Sequence, residues 1–306
     1  MKTILKITLV LSVLVSLYSC DKVEYPYKII TDLDTTLYPG NFRDYVYPTF
    51  GANNNATRNV LIEDFTGHKC SFCPAAATEA KNIAEANPGR VFIASIHASP
   101  NASGTSDFQS VAPSGNKYTT DFTTAEGKEI AGYLSNIQGG IVGNPTGTVN
   151  RSLNSNGEIF HSASTWSTTT DSLLNTPLLV NIQAKSNYFE ATRGLFIHAQ
   201  IEFLTALTGE YAVVIYALEN EVIDWQKVLS DDVEDYKHHE VHRGNVFAGE
   251  TFGRVFVNGD VIAGQKFEKD FTYNVPAGIT NADMHFLVYV YDKSTEEILQ
   301  VIKYEF

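Results

Sequence analysis

Between Val60 and His97 the sequence writes a strand, a helix and a second strand. Val60-Leu61-Ile62-Glu63-Asp64-Phe65 is an apolar, strand-like run, Cys73 to Ala86 is rich in alanine, and Arg90 to His97 returns to a buried-strand pattern. That order implies parallel strands joined by a right-handed crossover. Pro74 lacks an amide hydrogen and is tolerated only near the start of a helix, so the crossover helix cannot begin much before Cys70.

The pattern continues with a polar segment over 98–122, a predicted helix around 124–135, and Gly143-Asn144-Pro145-Thr146-Gly147 leading into a short strand at 148–150. A closing helix is predicted over 164–174. Beyond Pro177 the helical signals stop, and seven β-rich runs recur: 178–185, 195–203, 211–218, 252–257, 267–275, 284–291 and 298–304. Short strands separated by turn signals predict a sandwich of the immunoglobulin-like kind.

The first twenty residues read as an export signal. Lys2 and Lys6 precede an apolar run from Ile7 to Leu17 that is too short to span a bilayer, and Leu17-Tyr18-Ser19-Cys20 supplies a small-residue cleavage site. Those last four residues also resemble the lipobox of bacterial lipoproteins, which implies cleavage before Cys20 and lipid on its sulfur. Residues 21–58 are rich in Tyr, Pro, Asn and Asp without periodicity, and read as a tether. The expected organisation is therefore a signal peptide over 1–19, a tether over 20–58, an α/β domain over 59–176 and an all-β domain over 177–306. With 22 basic against 35 acidic residues the net charge is −13, which excludes nucleic acid as a partner.

The chain has three cysteines. With Cys20 taken by lipid, only Cys70 and Cys73 remain. As a staple the pair is poor, since a four-residue ring stabilises by about 2 kcal/mol, against nearly 5 for a 100-residue loop. As a metal site it is half complete: zinc needs four ligands, so His68 and His97 would have to join it, and copper would need an imidazole beside the thiolates. As a redox pair it has local support. A thiol at a helix start lies near unpaired amides and the positive end of the helix dipole, which favour the thiolate, and Lys69 and a protonated His68 would add charge. Cys70 would then attack and Cys73 would resolve the mixed disulfide.

Asp64-Phe65, four intervening residues and Cys-x-x-Cys after a strand resemble the thioredoxin superfamily. The resemblance implies a thioredoxin-like domain, a buried proton acceptor at Asp64 and a cis-proline at Pro145 that guides substrate. Lys69 stands where thioredoxins carry tryptophan, and Asn144 replaces the usual residue before the cis-proline. A narrower resemblance is to the lipoprotein family related to outer membrane protein 28. It rests on Val60 to Gly67 before Cys70-Ser71-Phe72-Cys73-Pro74, on Ser95-Ile96-His97-Ala98, on Gly143 to Arg151, and on Val233-Glu234-Asp235-Tyr236 running into a histidine cluster. It implies outer-membrane attachment through lipid on Cys20 and a β-rich C-terminal domain.

His97 ends the second strand, on the same sheet edge as Cys70 in a parallel unit, and is a further candidate. His238-His239-Glu240-Val241-His242 is the densest set of ligand-type residues. On a strand His238, Glu240 and His242 would share a face, yet the run lies in a charged connection that reads as a solvated loop, leaving His238 and His242 weak metal candidates. No cofactor is expected. Two functions compete: a lipid-anchored thiol-disulfide exchange protein meeting envelope or extracellular proteins through mixed disulfides, and a surface binding or adhesion lipoprotein that keeps the scaffold without turnover.

Overall fold

The structure, a computed structural model, describes residues 32–112, 114–138, 142–247 and 249–306. The signal peptide and Cys20 lie outside the described residues. Among the described residues no helix is long and apolar enough to cross a membrane.

Strand β1 (Val60–Thr66), helix α1 (Cys73–Ala86) and strand β2 (Val91–His97) form the expected crossover unit. β1 and β2 are parallel, with Val60 opposite Val91 and Thr66 opposite His97. Helix α2 (Ala125–Gln138), strand β3 (Thr146–Val149) and helix α3 (Ala163–Leu174) follow, and β3 runs antiparallel on the other side of β1. α1 buries Cys73, Ala76, Ala80 and Ile83, one helical face, against Val60, Ile62, Val91 and Trp166. At Gly147 a Cβ would come within 2.6 Å of both the Glu63 carbonyl and the Trp166 ring, so only glycine lets α3 close on β3.

The C-terminal strands are β4 (Val180–Phe189), β5 (Gly194–Phe203), β6 (Leu207–Val228), β7 (Asp231–Asn245), β8 (Arg254–Val261), β9 (Lys266–Asn274), β10 (Met284–Asp292) and β11 (Ile298–Tyr304). The large sheet has the order β11-β10-β6-β7-β2-β1-β3, with β8 also paired to β6, and β4-β5-β9 form a second sheet. The large sheet thus crosses the junction expected near residue 177, through a parallel bridge between Ser95 of β2 and Val241 of β7. Leu33–Phe306 cluster as one compact unit.

Alternation along β6 explains how one sheet serves two cores. Tyr211, Val213, Ile215 and Ala217 face the small sheet and pack with Ile197, Ile201, Phe203, Phe286 and Val288. Ala212, Val214, Tyr216 and Leu218 face the other way, joining Phe65, Ile96, Ile130 and Leu134 in a core that draws on both halves of the chain.

Three sequence expectations change. Strand β7 was expected as a loop, but His238 and His242 are buried on it. β7 carries too many charges to read as a strand, because most of its outer half is exposed and only its inward residues are covered. His238 and His242 do not share a face. Glu240 between them adopts φ 54°, and His238 meets Phe122 and His97, whereas His242 packs on Tyr216 and accepts or donates at Thr124 Oγ1 (3.0 Å). Finally, where a tether is expected, residues 33–58 lie along β4 and β5. Tyr38 and Tyr45 meet Phe189 edge-on, Phe42 and Tyr45 meet Phe196, and Asn53 donates to the Ile182 carbonyl (2.9 Å).

A fully buried ion pair ties these parts together. Glu63 of β1 accepts from Arg151 Nη2 (2.7 Å) and Nε (2.9 Å), from Thr148 Oγ1 (2.6 Å) and from the Tyr216 hydroxyl (2.7 Å). Arg151 also donates to the Tyr289 hydroxyl of β10 (3.0 Å). The guanidinium and these donors hold the Glu63 carboxyl below its usual range despite complete burial. Arg151→Met leaves a buried carboxylate without its cation, and urea unfolding is expected to show a loss of about 3–5 kcal/mol. Replacing both partners with leucine is expected to recover most of that loss.

Candidate functional site around a buried disulfide

Cys70 and Cys73 are joined as a disulfide. α1 starts at Cys73 with Phe72 as N-cap, so Cys70 stands in the preceding turn, where its N–H donates to Gly67 (3.0 Å) and its carbonyl accepts from Cys73 (3.3 Å). Both cysteines are only 1% exposed. An accessible sulfur at the helix start was the expectation. The cover comes from elsewhere in the chain.

The tip of the β6–β7 hairpin lies over the loop. Lys227 N–H donates to the His68 carbonyl (2.8 Å) and Leu229 N–H to the Ser71 carbonyl (3.0 Å), while Gln226 Nε2 donates to the Cys70 carbonyl (3.1 Å). A second cover comes from the polar segment after β2: Lys69 N–H donates to the Phe108 carbonyl (3.0 Å) and Gln109 Nε2 to the Thr66 carbonyl (2.7 Å). Asp232 pins the two covers together, accepting from Tyr118 (2.7 Å), Lys117 (3.0 Å) and Lys227 (3.2 Å), and these donors hold its carboxyl well below the usual range. Phe72, between the cysteines, is 65% exposed, and Leu229 beside it is 63% exposed.

The expected electrostatic helpers divide. His68 is buried against Tyr118 and Phe122, and burial lowers its pKa, so it is neutral and adds no charge. Lys69 donates to Ser110 Oγ (2.9 Å).

Asp64 of β1 is buried and neither carboxylate oxygen has a partner. Burial alone pushes its pKa up to about 7. It opens onto a cavity of about 650 Å³ whose lining includes Cys73, His97, Gln226, Tyr236 and His238. The cavity exists because β7 touches β2 only around Ser95 and Val241, leaving a wedge between α1 and the outer part of β7. His97 and His238 have ring centroids 5.6 Å apart, and His97 Nδ1 and His238 Nε2 are both unpartnered. Desolvation lowers the pKa of both, to about 4 for His238, so both are neutral.

The structure therefore brings Cys73, Asp64, His97 and His238 to one cavity. His242 lies on the opposite face of the sheet. Pro145 follows a cis peptide bond at the start of β3 and lines a different hollow of about 820 Å³, with Phe160, His161 and Thr169. Asn144 braces that turn, donating to the carbonyls of Phe65 (2.7 Å) and Ala98 (2.9 Å) and accepting from Ser99 Oγ. Among the described residues no three His, Cys, Asp or Glu side chains converge as a metal-binding group. Sequence reading missed Gln226 and the hairpin tip, and named Tyr236 only within a resemblance, with no place at this site. Each reaches the site from more than 150 positions away, and nothing local in the sequence marks them.

The lone carboxylate has a consequence for stability. Its pKa is raised on folding, so the native state binds the proton more tightly, and stability is lost as pH rises from the ordinary carboxylate range through about 7. Asp64→Asn is expected to match the original protein at pH 4 and to exceed it at pH 8 by up to about 4 kcal/mol, read as the difference in urea midpoints.

Comparisons with known proteins bear on the chain as a whole. Its fold is similar to that of HBP35 of Porphyromonas gingivalis, at 15% identity and a TM-score of 0.58, covering 82% of this chain and 76% of that one. Protein AGR_C_4864 from Agrobacterium tumefaciens matches at 15% identity and a TM-score of 0.49, over 80% of this chain and 93% of that one. A domain of the outer membrane lipoprotein Omp28 from Porphyromonas gingivalis matches at 19% identity and a TM-score of 0.28, over 42% of this chain and 94% of that one. No curated protein matches the sequence. The sequence profile described as outer membrane protein Omp28 matches residues 135–306, more than half of the chain, and the protein therefore belongs to the Omp28 family of outer membrane proteins.

Proposed function

We propose that this protein is a lipid-anchored thiol-disulfide exchange protein of the outer membrane, held there by lipid on Cys20. Residues 59–176 act as a thioredoxin-like module and residues 177–306 as an immunoglobulin-like sandwich that shelters it and meets partners. The observation that carries the reading is the Cys70–Cys73 disulfide at the start of α1, with the unpartnered carboxyl of Asp64 in the cavity that Cys73 lines. The βαβ unit and the antiparallel β3 are consistent with it.

In the dithiol form, the Cys70 thiolate attacks a disulfide of an envelope or extracellular protein. A mixed disulfide forms and one partner thiolate leaves. Cys73 then loses its proton to the Asp64 carboxylate and attacks the Cys70 sulfur, which regenerates the Cys70–Cys73 disulfide and releases the second partner thiolate. The partner gains two electrons and the cysteine pair loses two. A carboxyl poised at about 7 suits that proton transfer near neutral pH. The hairpin tip must lift from His68 and Ser71 before Cys70 is reached, so opening of β6–β7 gates the exchange.

A second reading has its own observation. Two cysteines at 1% exposure under two covers suit a closed disulfide in a binding or adhesion lipoprotein without turnover.

The readings separate on access. Asp232→Ala removes the group that pins both covers, and under the exchange reading it is expected to speed reduction of Cys70–Cys73 by dithiothreitol severalfold, followed by alkylation and mass spectrometry. Cys73→Ser is expected to trap mixed disulfides with envelope proteins through Cys70. A pair that stays oxidised in dithiothreitol in the folded protein, with no trapped partner, would establish the binding reading instead.

A further inference from the structure

Two side chains beside the disulfide are poorly matched to their own backbone positions. Phe72 stands at the N-cap of α1 and makes no cap hydrogen bond, where serine, threonine, aspartate or asparagine would satisfy an open amide. Leu229 opens the two-residue turn between β6 and β7 with φ 52°, in the left-handed region that glycine and asparagine enter more readily. Both are among the most exposed large apolar side chains of the described residues, at 65% and 63%. Neither serves its helix end, its turn or a core.

The two positions adjoin. Leu229 N–H donates to the carbonyl of Ser71, the residue before Phe72 (3.0 Å), so the two residues flank the seam where the hairpin tip meets the loop of the cysteines. Cys70, the sulfur that exchange needs first, is two residues from Phe72. Local rules broken together at one place are the mark of a functional site. Apolar surface left in water is stabilised by burial against another apolar group, so the partner that fits carries a leucine- or phenylalanine-sized side chain next to its own disulfide. Folded proteins bury most such side chains, whereas chains still folding expose them.

We propose that Phe72 and Leu229 set the specificity of the exchange site, selecting disulfides flanked by apolar side chains in partly folded envelope proteins. This selectivity rests on the exchange reading and gives it a substrate class. The partner's apolar side chain packs on Phe72 and Leu229 while the hairpin is closed, and Phe72 keeps it beside Cys70 once the hairpin lifts.

Two synthetic peptides test this, each closed by one disulfide, with leucine beside each cysteine in one and serine in the other. The protein is reduced with dithiothreitol, desalted and mixed with either peptide. Each reaction closes Cys70–Cys73 and passes two electrons to the peptide disulfide, which opens to two thiols that are alkylated and read by mass spectrometry. The leucine peptide is expected to react about tenfold faster, from partial burial of one such side chain. Phe72→Ser and Leu229→Gly suit their backbone positions, so neither is expected to lower the urea midpoint. Each is expected to bring the two rates closer, and the double variant to equalise them. A structural role would appear instead as lost stability with the preference kept, and that outcome overturns the proposal. Equal rates for the two peptides in the original protein overturn it as well and leave the exchange reading standing, whereas a pair that cannot be reduced, or no reaction with either peptide, overturns both.

Discussion

The architecture rests on one buried ion pair. Glu63 and Arg151 lie in the interior, where a lone charge is costly, and each is satisfied only because the other and the hydroxyls of Thr148, Tyr216 and Tyr289 are in place. Those groups come from β1, β3, the turn after it, β6 and β10. The ion pair and Thr148 lie in the first 176 residues, and the Tyr216 and Tyr289 hydroxyls that complete its hydrogen bonds come from the rest. The constraint selects one docking of the first 176 residues against the rest, and it does so with directional bonds that apolar packing does not provide. Asn150, next to Arg151, acts on the same junction: its side chain takes the Leu61 N–H (2.7 Å) and its carbonyl takes the Ile298 N–H (2.9 Å).

Once the sheet is continuous, the environment of the disulfide follows. β6 is 22 residues long and extends past the edge of the small sheet, so its far end and the start of β7 arrive above the loop between β1 and α1. The same extension that covers the sulfurs opens the wedge beside them, because β7 leaves β2 after a single bridge. Cover and cavity are two results of one strand geometry.

Much of this was legible in the sequence where the determinants are local. The crossover unit, α1 from Cys73 to Ala86, α3 and most C-terminal strands follow from periodicity, alanine content and proline placement. Asp64 was singled out by a resemblance, and its burial without a partner in the cavity that Cys73 also lines emerges only from packing. β7 was not legible. Its run of Asp, Glu, Lys and His reads as a solvated connection, and only pairing with β6 along nearly its whole length makes it a strand. The change of face between His238 and His242 rests on one left-handed residue, Glu240, which no two-residue alternation anticipates. The fate of residues 33–58 was equally hidden, since Tyr38, Phe42 and Tyr45 look like scattered aromatics until β4 and β5 offer Phe189 and Phe196 to them.

One of the two covers over the disulfide, the hairpin tip with Gln226, Lys227 and Leu229, follows Cys73 by more than 150 positions, whereas Phe108 and Gln109 of the other follow it by fewer than 50. A chain made from its amino end carries both thiols without the hairpin cover until Gln226, Lys227 and Leu229 emerge. The order of residues along the polypeptide thus makes the hairpin cover the later of the two to be available.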